Sequence, residues 1–281
     1  MKKTNIVIIL LLIFALMLPS CVSEDTANGT DDTTTAAQTT EPVTTPTDPL
    51  VATLKVGSYN VKHFEQVDHD FSVIAQDILS KDLEIVGLQE IDKNNNRSNG
   101  LDEPAKIAEA LGWEYAYTKT IDYEGGEYGH CIVSKYPIKS FNSKSLTGGG
   151  ERRAFGHAVI DVNGVEINFI NTHLSTEGAS VRKRQFAGLN NYVKSLDNFI
   201  IVGDFNTEDF TEFETIENAT LVNNSEKNLK TFPSNRPSVA IDNIVVSSMF
   251  TLGEPNVLSN QHSDHIMLYT EVTYVLPKAE E

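Results

Sequence analysis

The strongest constraint on what this chain can fold into is a succession of short apolar segments that starts near residue 54 and recurs at short intervals to the C-terminus. Leu54-Lys55-Val56-Gly57-Ser58-Tyr59-Asn60 alternates as a half-buried strand does, and Ile85-Val86-Gly87-Leu88 reads as a short buried strand over 84–90. Strand-like segments follow at 113–118, 129–134, 138–146, 154–162 and 165–173, with Asn163-Gly164 as a hairpin turn between the last two. Phe199-Ile200-Ile201-Val202 is a further buried strand, and 239–246 and 266–275 complete the set. Helical spacing is confined to 71–79, to 104–111 with Pro104 near its start, and to 179–196. Many hairpin-linked strands with helices inserted at intervals predict an α/β protein. Two stacked sheets flanked by helices suit this pattern better than one doubly wound parallel sheet. No internal sequence repeat is visible.

The N-terminal part has a different character. Lys2-Lys3 precede an apolar stretch over 6–18 that falls short of the roughly 20 residues needed to span a bilayer, so it reads as the h-region of a signal peptide. Leu18-Pro19-Ser20-Cys21 resembles the lipobox of secreted lipoproteins, which implies cleavage before Cys21 and acylation of its thiol. An ordinary signal peptide or an uncleaved anchor is the alternative, and in every case the body of the protein is exported. Residues 22–49 are mostly Asp, Thr, Glu, Ala and Pro, too polar to bury, and are expected to form a disordered tether. The organisation expected is therefore a signal peptide over 1–20, a tether over 21–50 and one domain over 51–281, membrane-anchored on the extracytoplasmic side.

With 22 basic and 39 acidic side chains the formal charge is −17, which argues against a general polyanion-binding surface. An enzyme that touches a single phosphodiester through a metal ion is compatible with that charge. Cys131 sits in an apolar run and reads as a small buried hydrophobe; with Cys21 acylated, no intrachain disulfide is available. The cysteine and histidine spacing of a structural zinc site is absent, and so is the Gly-x-Ser-x-Gly of a serine hydrolase.

Chemistry enters at the strand ends. Ser58-Tyr59-Asn60, Leu88-Gln89-Glu90, Asn171-Thr172-His173-Leu174, Gly203-Asp204-Phe205-Asn206 with Ile241-Asp242-Asn243-Ile244, and Ser263-Asp264-His265 each bring a carboxylate, amide or imidazole to an apolar strand. Any one of them alone reads as a turn or capping group. In this order they resemble the endonuclease/exonuclease/phosphatase superfamily, from about residue 53 to 275, most specifically at Gly203-Asp204-Phe205-Asn206 and Ser263-Asp264-His265. Tyr128-Gly129, Ser134-Lys135-Tyr136-Pro137-Ile138 and Thr231-Phe232-Pro233-Ser234 share in the resemblance.

That resemblance implies a four-layer α-β-β-α sandwich of two mixed, mostly antiparallel sheets, with a site at one end. It implies that Glu90 is the main divalent-metal ligand, with Asn60 beside it and Asp264 assisting. Asp204 would orient and deprotonate the attacking water, Asn206 would hold water or a phosphate oxygen, and His173 would contact the scissile phosphate. Asp242 or Asp264 would hydrogen-bond a catalytic His265, with Asp242 the first choice. The glutamate that supports the equivalent of His173 in pancreatic deoxyribonuclease has no counterpart here. Oxygen and amide ligands suit Mg²⁺, or Mn²⁺, better than zinc. Arg97, Arg153 and Arg182 are candidate phosphate clamps, since a guanidinium matches phosphate geometry. The expected activity is metal-dependent hydrolysis of a phosphodiester in nucleic acid, a phospholipid head group or a small ester, with a nuclease as the specific form favoured. The rival readings are a phosphomonoesterase or sphingomyelinase-like enzyme and a binding or adhesion lipoprotein that keeps the fold without turnover. No sequence feature points to a protein partner.

Overall fold

The computed structural model describes residues 51–276, so the segments expected to be a signal peptide over 1–20 and a tether over 21–50, Cys21 included, lie outside the described residues. Among the described residues, no helix is long and apolar enough to cross a membrane. The elements run β1 (Val51–Asn60), α1 (Phe71–Leu79), β2 (Ile85–Lys93), α2 (Glu103–Leu111), β3 (Glu114–Tyr123), β4 (Gly126–Ser134), β5 (Ile138–Leu146), β6 (Arg153–Val162), β7 (Val165–His173), α3 (Ala179–Val193) and β8 (Ile200–Asp204). After them come β9 (Ala219–Leu221), β10 (Asp242–Ser247), β11 (Thr251–Leu252), β12 (Asn256–Leu258) and β13 (Met267–Val275).

Local chemistry sets several of these bounds. Asp70 caps α1 by accepting the Ser72 N–H at 3.1 Å, and Asp102 caps α2 through the Ala105 N–H at 3.2 Å. α2 stops at Gly112, whose φ of 69° is the left-handed conformation glycine adopts freely. α3 ends earlier than the spacing predicts. Asn198 lies outside the helix and clamps β7 instead, accepting the Asn168 N–H at 3.0 Å and donating to the Glu166 carbonyl at 3.0 Å.

The strands form two sheets. One has the order β11-β13-β1-β2-β4-β3, with β12 also beside β13; the other has the order β5-β6-β7-β8-β10-β9. Each contains a single parallel pair, β1 with β2 and β7 with β8, and every other pairing is antiparallel. α1 lies between β1 and β2 in the chain, and α3 lies between β7 and β8. The same strand–helix–strand unit therefore appears once in each sheet, a duplication of topology with no trace in the residues.

Strand alternation sorts the core into three layers. Leu54, Val56, Ile85, Phe169, Ile200, Val202, Ile244 and Val246 fill the space between the sheets. Val86, Leu88 and Val133 point the other way and pack with Ile74, Ile78 and Ile107 of α1 and α2. Ile170 and Ile201 do the same beneath Phe186, Leu189 and Val193 of α3. The result is the four-layer α-β-β-α sandwich expected.

At one end the sheets approach so closely that a Cβ on Gly87 would lie 2.2 Å from Val202 Cγ2. Beside it a buried amide pair joins the layers. Gln89 Nε2 donates to Asn171 Oδ1 at 2.7 Å, while Asn171 Nδ2 donates to the carbonyls of Leu88 at 3.0 Å and Cys131 at 2.8 Å. Gln89 Oε1 has no hydrogen-bond partner among the described residues, but the two amide NH2 groups and Asn171 Oδ1 do, and these bonds fix the relative position of the two sheets there.

Candidate active site

The polar strand ends converge because the parallel pairs end together. Asn60 lies opposite Gln89 in the β1/β2 pair, and His173 lies opposite Asp204 in the β7/β8 pair. β10 runs antiparallel to β8 and sets Asp242 opposite Asp204. Glu90 takes its place by a bulge: the β2/β4 register slips between Gln89 and Ile91, and Glu90 has a φ of 57°. A bulge drops one residue from the ladder and re-aims its side chain, here to a place beside Asn60. Asn206 also has positive φ, at 52°, in a tight turn closed by its own N–H to Asp204 Oδ1 at 3.0 Å.

Six of the residues singled out in the sequence form one connected group. Asn60 Nδ2 donates to Glu90 Oε1 at 3.0 Å and to Asp204 Oδ2 at 3.1 Å. Asp204 Oδ2 also lies 3.5 Å from His173 Nε2 and 3.6 Å from His265 Nε2. The other nitrogen of His265, Nδ1, is 2.9 Å from Asp242 Oδ2, so of the two aspartates considered it is Asp242 that holds the ring. Asn206 sits alongside, its amide donating to the Leu174 carbonyl at 3.0 Å. Asp264 faces outward and pairs with Lys62 Nζ at 3.4 Å, a lysine with no motif of its own to mark it.

The loop that carries Asp264 and His265 is pinned from two sides. Ser263 Oγ donates to the Asn60 carbonyl at 2.7 Å, and Ser234 Oγ donates to the Ser263 carbonyl at 2.6 Å. Phe232 packs against the His265 ring with centroids 4.8 Å apart. The Thr231–Ser234 motif thus supports the loop and contributes no group of its own to the chemistry.

The three arginines divide. Arg153 is buried at the start of β6, 3.4 Å from Glu151, and its charge is one of the influences that depress His173. Arg97 grips Asp92 with Nε and Nη2, each at 2.8 Å. Arg182 grips Glu212 in the same two-pronged way, and Glu212 in turn accepts the Thr207 hydroxyl at 2.9 Å. Arg97 and Arg182 are therefore engaged in internal ion pairs.

Electrostatics separates the titratable groups into different states. Burial alone would strip the proton from His265, but the carboxylates of Asp242 and Asp204 outweigh it and raise the imidazolium above its ordinary range. Burial raises the Asp204 carboxyl; His265 and the Asn60 hydrogen bond oppose this, while Asp242 and Glu90 reinforce it. His173 moves the opposite way, held well below the ordinary imidazole value by burial and by the positive groups Arg153 and His265. The centre thus combines a cationic imidazole, a carboxylate with heightened proton affinity and a neutral imidazole.

Two groups of side chains are candidates to hold a cation. Asp204, Asp242 and His265 each offer a ligand atom within 4.8 Å of the others. That set is already occupied by its own proton: His265 Nδ1 is committed to Asp242, and the ring is cationic. Glu90 and Asn60 form the other, a partly exposed carboxylate bonded to a buried amide, with Asp264 on the loop that Ser263 ties to the Asn60 carbonyl. Glu90 Oε1 takes the Asn60 N–H, and Oε2 has no hydrogen-bond partner among the described residues. Hard, partly hydrated oxygen donors fit a hard divalent ion, so the second set is the better match.

Comparison with known proteins agrees with the fold. An endonuclease/exonuclease/phosphatase family protein from Bacteroides thetaiotaomicron superposes with a TM-score of 0.67 at 21% identity, covering 83% of this chain and 99% of that one. A mannosyl-6-phosphatase from the same organism superposes with a TM-score of 0.65 at 20% identity, covering 78% and 99%. Among curated sequences, the uncharacterized protein YbhP of Escherichia coli K12 is 27% identical over 106 residues, which is 36% of this chain and 42% of that relative. The model of the Endonuclease/Exonuclease/phosphatase family matches residues 57–265, and the chain belongs to this family.

Proposed function

We propose that the protein is an exported, lipid-anchored, divalent-metal-dependent hydrolase that cleaves a phosphodiester by in-line attack of water. The observation that carries this reading is His265 standing between Asp242 at 2.9 Å and Asp204 at 3.6 Å, with Asn60 joining Asp204 to Glu90. It supports reading Asp204 as a proton acceptor, His265 as a cationic donor and Glu90 as a cation-binding carboxylate at one site.

Asp204 takes the proton of the attacking water, a task that its raised proton affinity suits. Asn206, fixed by its turn, orients that water or a phosphoryl oxygen through its amide oxygen. His265 donates from Nε2 to the phosphoryl oxygens as negative charge builds on them, and Asp242 keeps the ring cationic and correctly turned. His173, neutral, faces the phosphate from the other sheet, and Arg153 adds positive charge behind it. Glu90, Asn60 and Asp264 would hold Mg²⁺ or Mn²⁺, which when bound supplies Lewis-acid charge to the phosphoryl group. The bond from phosphorus to the departing ester oxygen breaks as the water oxygen bonds from the opposite side.

A diester carries one negative charge where a monoester carries two. With Glu90, Asp204, Asp242 and Asp264 all around the site, the diester is the better electrostatic match. Acylation at Cys21 and export complete the reading, and both rest on the N-terminal sequence.

The test is turnover of bis-p-nitrophenyl phosphate by the purified protein with Mg²⁺, Mn²⁺ or EDTA, with p-nitrophenyl phosphate, DNA and sphingomyelin alongside. Asp204→Ala and His265→Ala should each lower kcat by roughly a hundredfold to ten-thousandfold. An absence of metal-dependent turnover on every substrate would favour a binding lipoprotein. Preference for the monoester would move the assignment to a phosphatase.

A further inference from the structure

A pocket of about 230 Å³ opens beside the proposed phosphate site, lined by Arg97, Ile121, Tyr123, Tyr128 and Glu151. Two connections tie it to that site. Tyr128 lies opposite Asp92 in the β2/β4 ladder, two residues past the Glu90 bulge, and burial together with the Glu90 charge pushes its phenol well up. On the other wall, Glu151 pairs with Arg153 at 3.4 Å. A group attached to a phosphate between Glu90 and Arg153 therefore has this pocket as a neighbour.

Three features of the lining define its chemistry. The Arg97 guanidinium lies 4.5 Å from the Tyr123 ring centroid and 5.5 Å from that of Tyr128, so it already covers one face of each ring. Base stacking, the main source of affinity for single-stranded nucleic acid, loses those faces. Asp92 neutralises Arg97 through Nε and Nη2, and Nη1 has no partner among the described residues. What remains is a pre-aimed donor with little net charge. Glu151, with a side chain 41% exposed, adds a carboxylate acceptor that repels a second phosphate. The pocket is also smaller than the roughly 300–1,000 Å³ of sites for drug-sized ligands, which limits it to one ring.

We infer that this pocket receives an uncharged, polyhydroxylated ring, the sugar of a sugar-phosphate ester, with Arg97 Nη1 donating to one hydroxyl and Glu151 accepting from others. The inference rests on the phosphohydrolase reading for the placement of the phosphate, and it deepens that reading by naming the alcohol part of the substrate. It changes the part assigned to Arg97, which here addresses a hydroxyl and leaves the phosphate to other groups.

The test is a calorimetric titration of the intact protein with glucose 6-phosphate, thymidine 5′-phosphate and glycerol 3-phosphate, a measurement that needs no turnover. Two or three hydrogen bonds to hydroxyls predict that the sugar phosphate binds about tenfold more tightly than either of the others. Ile121→Trp, which fills the pocket, should erase that preference, and Glu151→Gln should weaken it. Turnover of bis-p-nitrophenyl phosphate by the native protein, with and without Mg²⁺, reports on the phosphate site separately. Equal binding of the three ligands, tighter binding of the nucleotide or of glycerol 3-phosphate, or a sugar preference that survives Ile121→Trp would overturn the assignment. Absence of turnover with the sugar preference intact would count against the hydrolase reading and leave the pocket standing.

Discussion

Glu103 is the most informative residue to perturb outside the site itself. It opens α2 yet is fully buried, with Oε2 accepting the Asp92 N–H at 2.7 Å and Oε1 lying 3.2 Å from His69 Nδ1. Burial pushes its carboxyl from the ordinary 4.5 up to about 8; the Asp92 N–H and Arg97 oppose this, and the Asp92 charge adds to it. The sign of the consequence follows from linkage. Between pH 4.5 and 8 the unfolded chain has released this proton and the folded one has kept it, so the group's contribution to stability falls as pH rises. At 1.36 kcal/mol per pH unit the loss over that window amounts to roughly 5 kcal/mol as an upper bound. Glu103→Gln mimics the protonated acid: it keeps an acceptor for Asp92 and presents an amide N–H to His69. The variant should match the native protein near pH 4.5 and exceed it by roughly 3 to 5 kcal/mol at pH 8, read from urea unfolding at a series of pH values. A difference that does not change with pH, or a variant less stable at pH 8, would refute the reasoning.

Three further outcomes follow from the packing and the site. Gly87→Ala should destabilise by about 1–3 kcal/mol or more in urea unfolding, because the new Cβ lies 2.2 Å from Val202 Cγ2 and 2.8 Å from Asn171 Cγ. Cys131 is fully buried with its thiol pushed well up, so the native protein should leave Ellman's reagent unreacted at this position until denaturant is added. Asp242→Asn should lower kcat by about a hundredfold while circular dichroism stays native, since it removes the carboxylate that keeps His265 cationic but retains a hydrogen-bonding side chain of the same shape.

Much of this molecule was legible wherever a residue's meaning is local. Helix 71–79 and the strands at 138–146 and 165–173 coincide with the observed elements because caps and turns mark their ends in the sequence itself. Asn163-Gly164 is one such mark, both residues having positive φ in the hairpin. β9, β11 and β12 were not legible, being two or three residues long and defined only by the strands they pair with. Glu90 reads as the end of a strand because its polarity breaks the apolar run. β2 in fact continues to Lys93, and the slip that re-aims Glu90 is a relation between β2 and β4 that neither segment carries alone. The arginines mislead for the same reason. A guanidinium looks available until Asp92 or Glu212 is seen to hold it, and Glu212 is 30 residues from Arg182.

The site's dependence on tertiary structure has one more level. The β1–α1–β2 unit delivers Asn60 and Glu90, and the β7–α3–β8 unit delivers His173 and Asp204 from the equivalent place in the other sheet. Neither half holds the whole group, since Asp204 and Asp242, proposed for acid–base work and for holding His265, and Glu90 and Asn60, proposed for cation binding, come from different sheets. The links between them are few. Asn60 reaches Asp204 at 3.1 Å, and His265, at the entrance to β13, reaches Asp242 at the start of β10. A slide of one sheet over the other by a single ångström would break both bonds. The close contact at Gly87 and the Gln89–Asn171 amide pair stand one to three residues before Glu90 and His173 in their strands, where they oppose such a slide. A buried polar pair is expensive unless its geometry is fixed, and that same requirement holds the two half-sites in register.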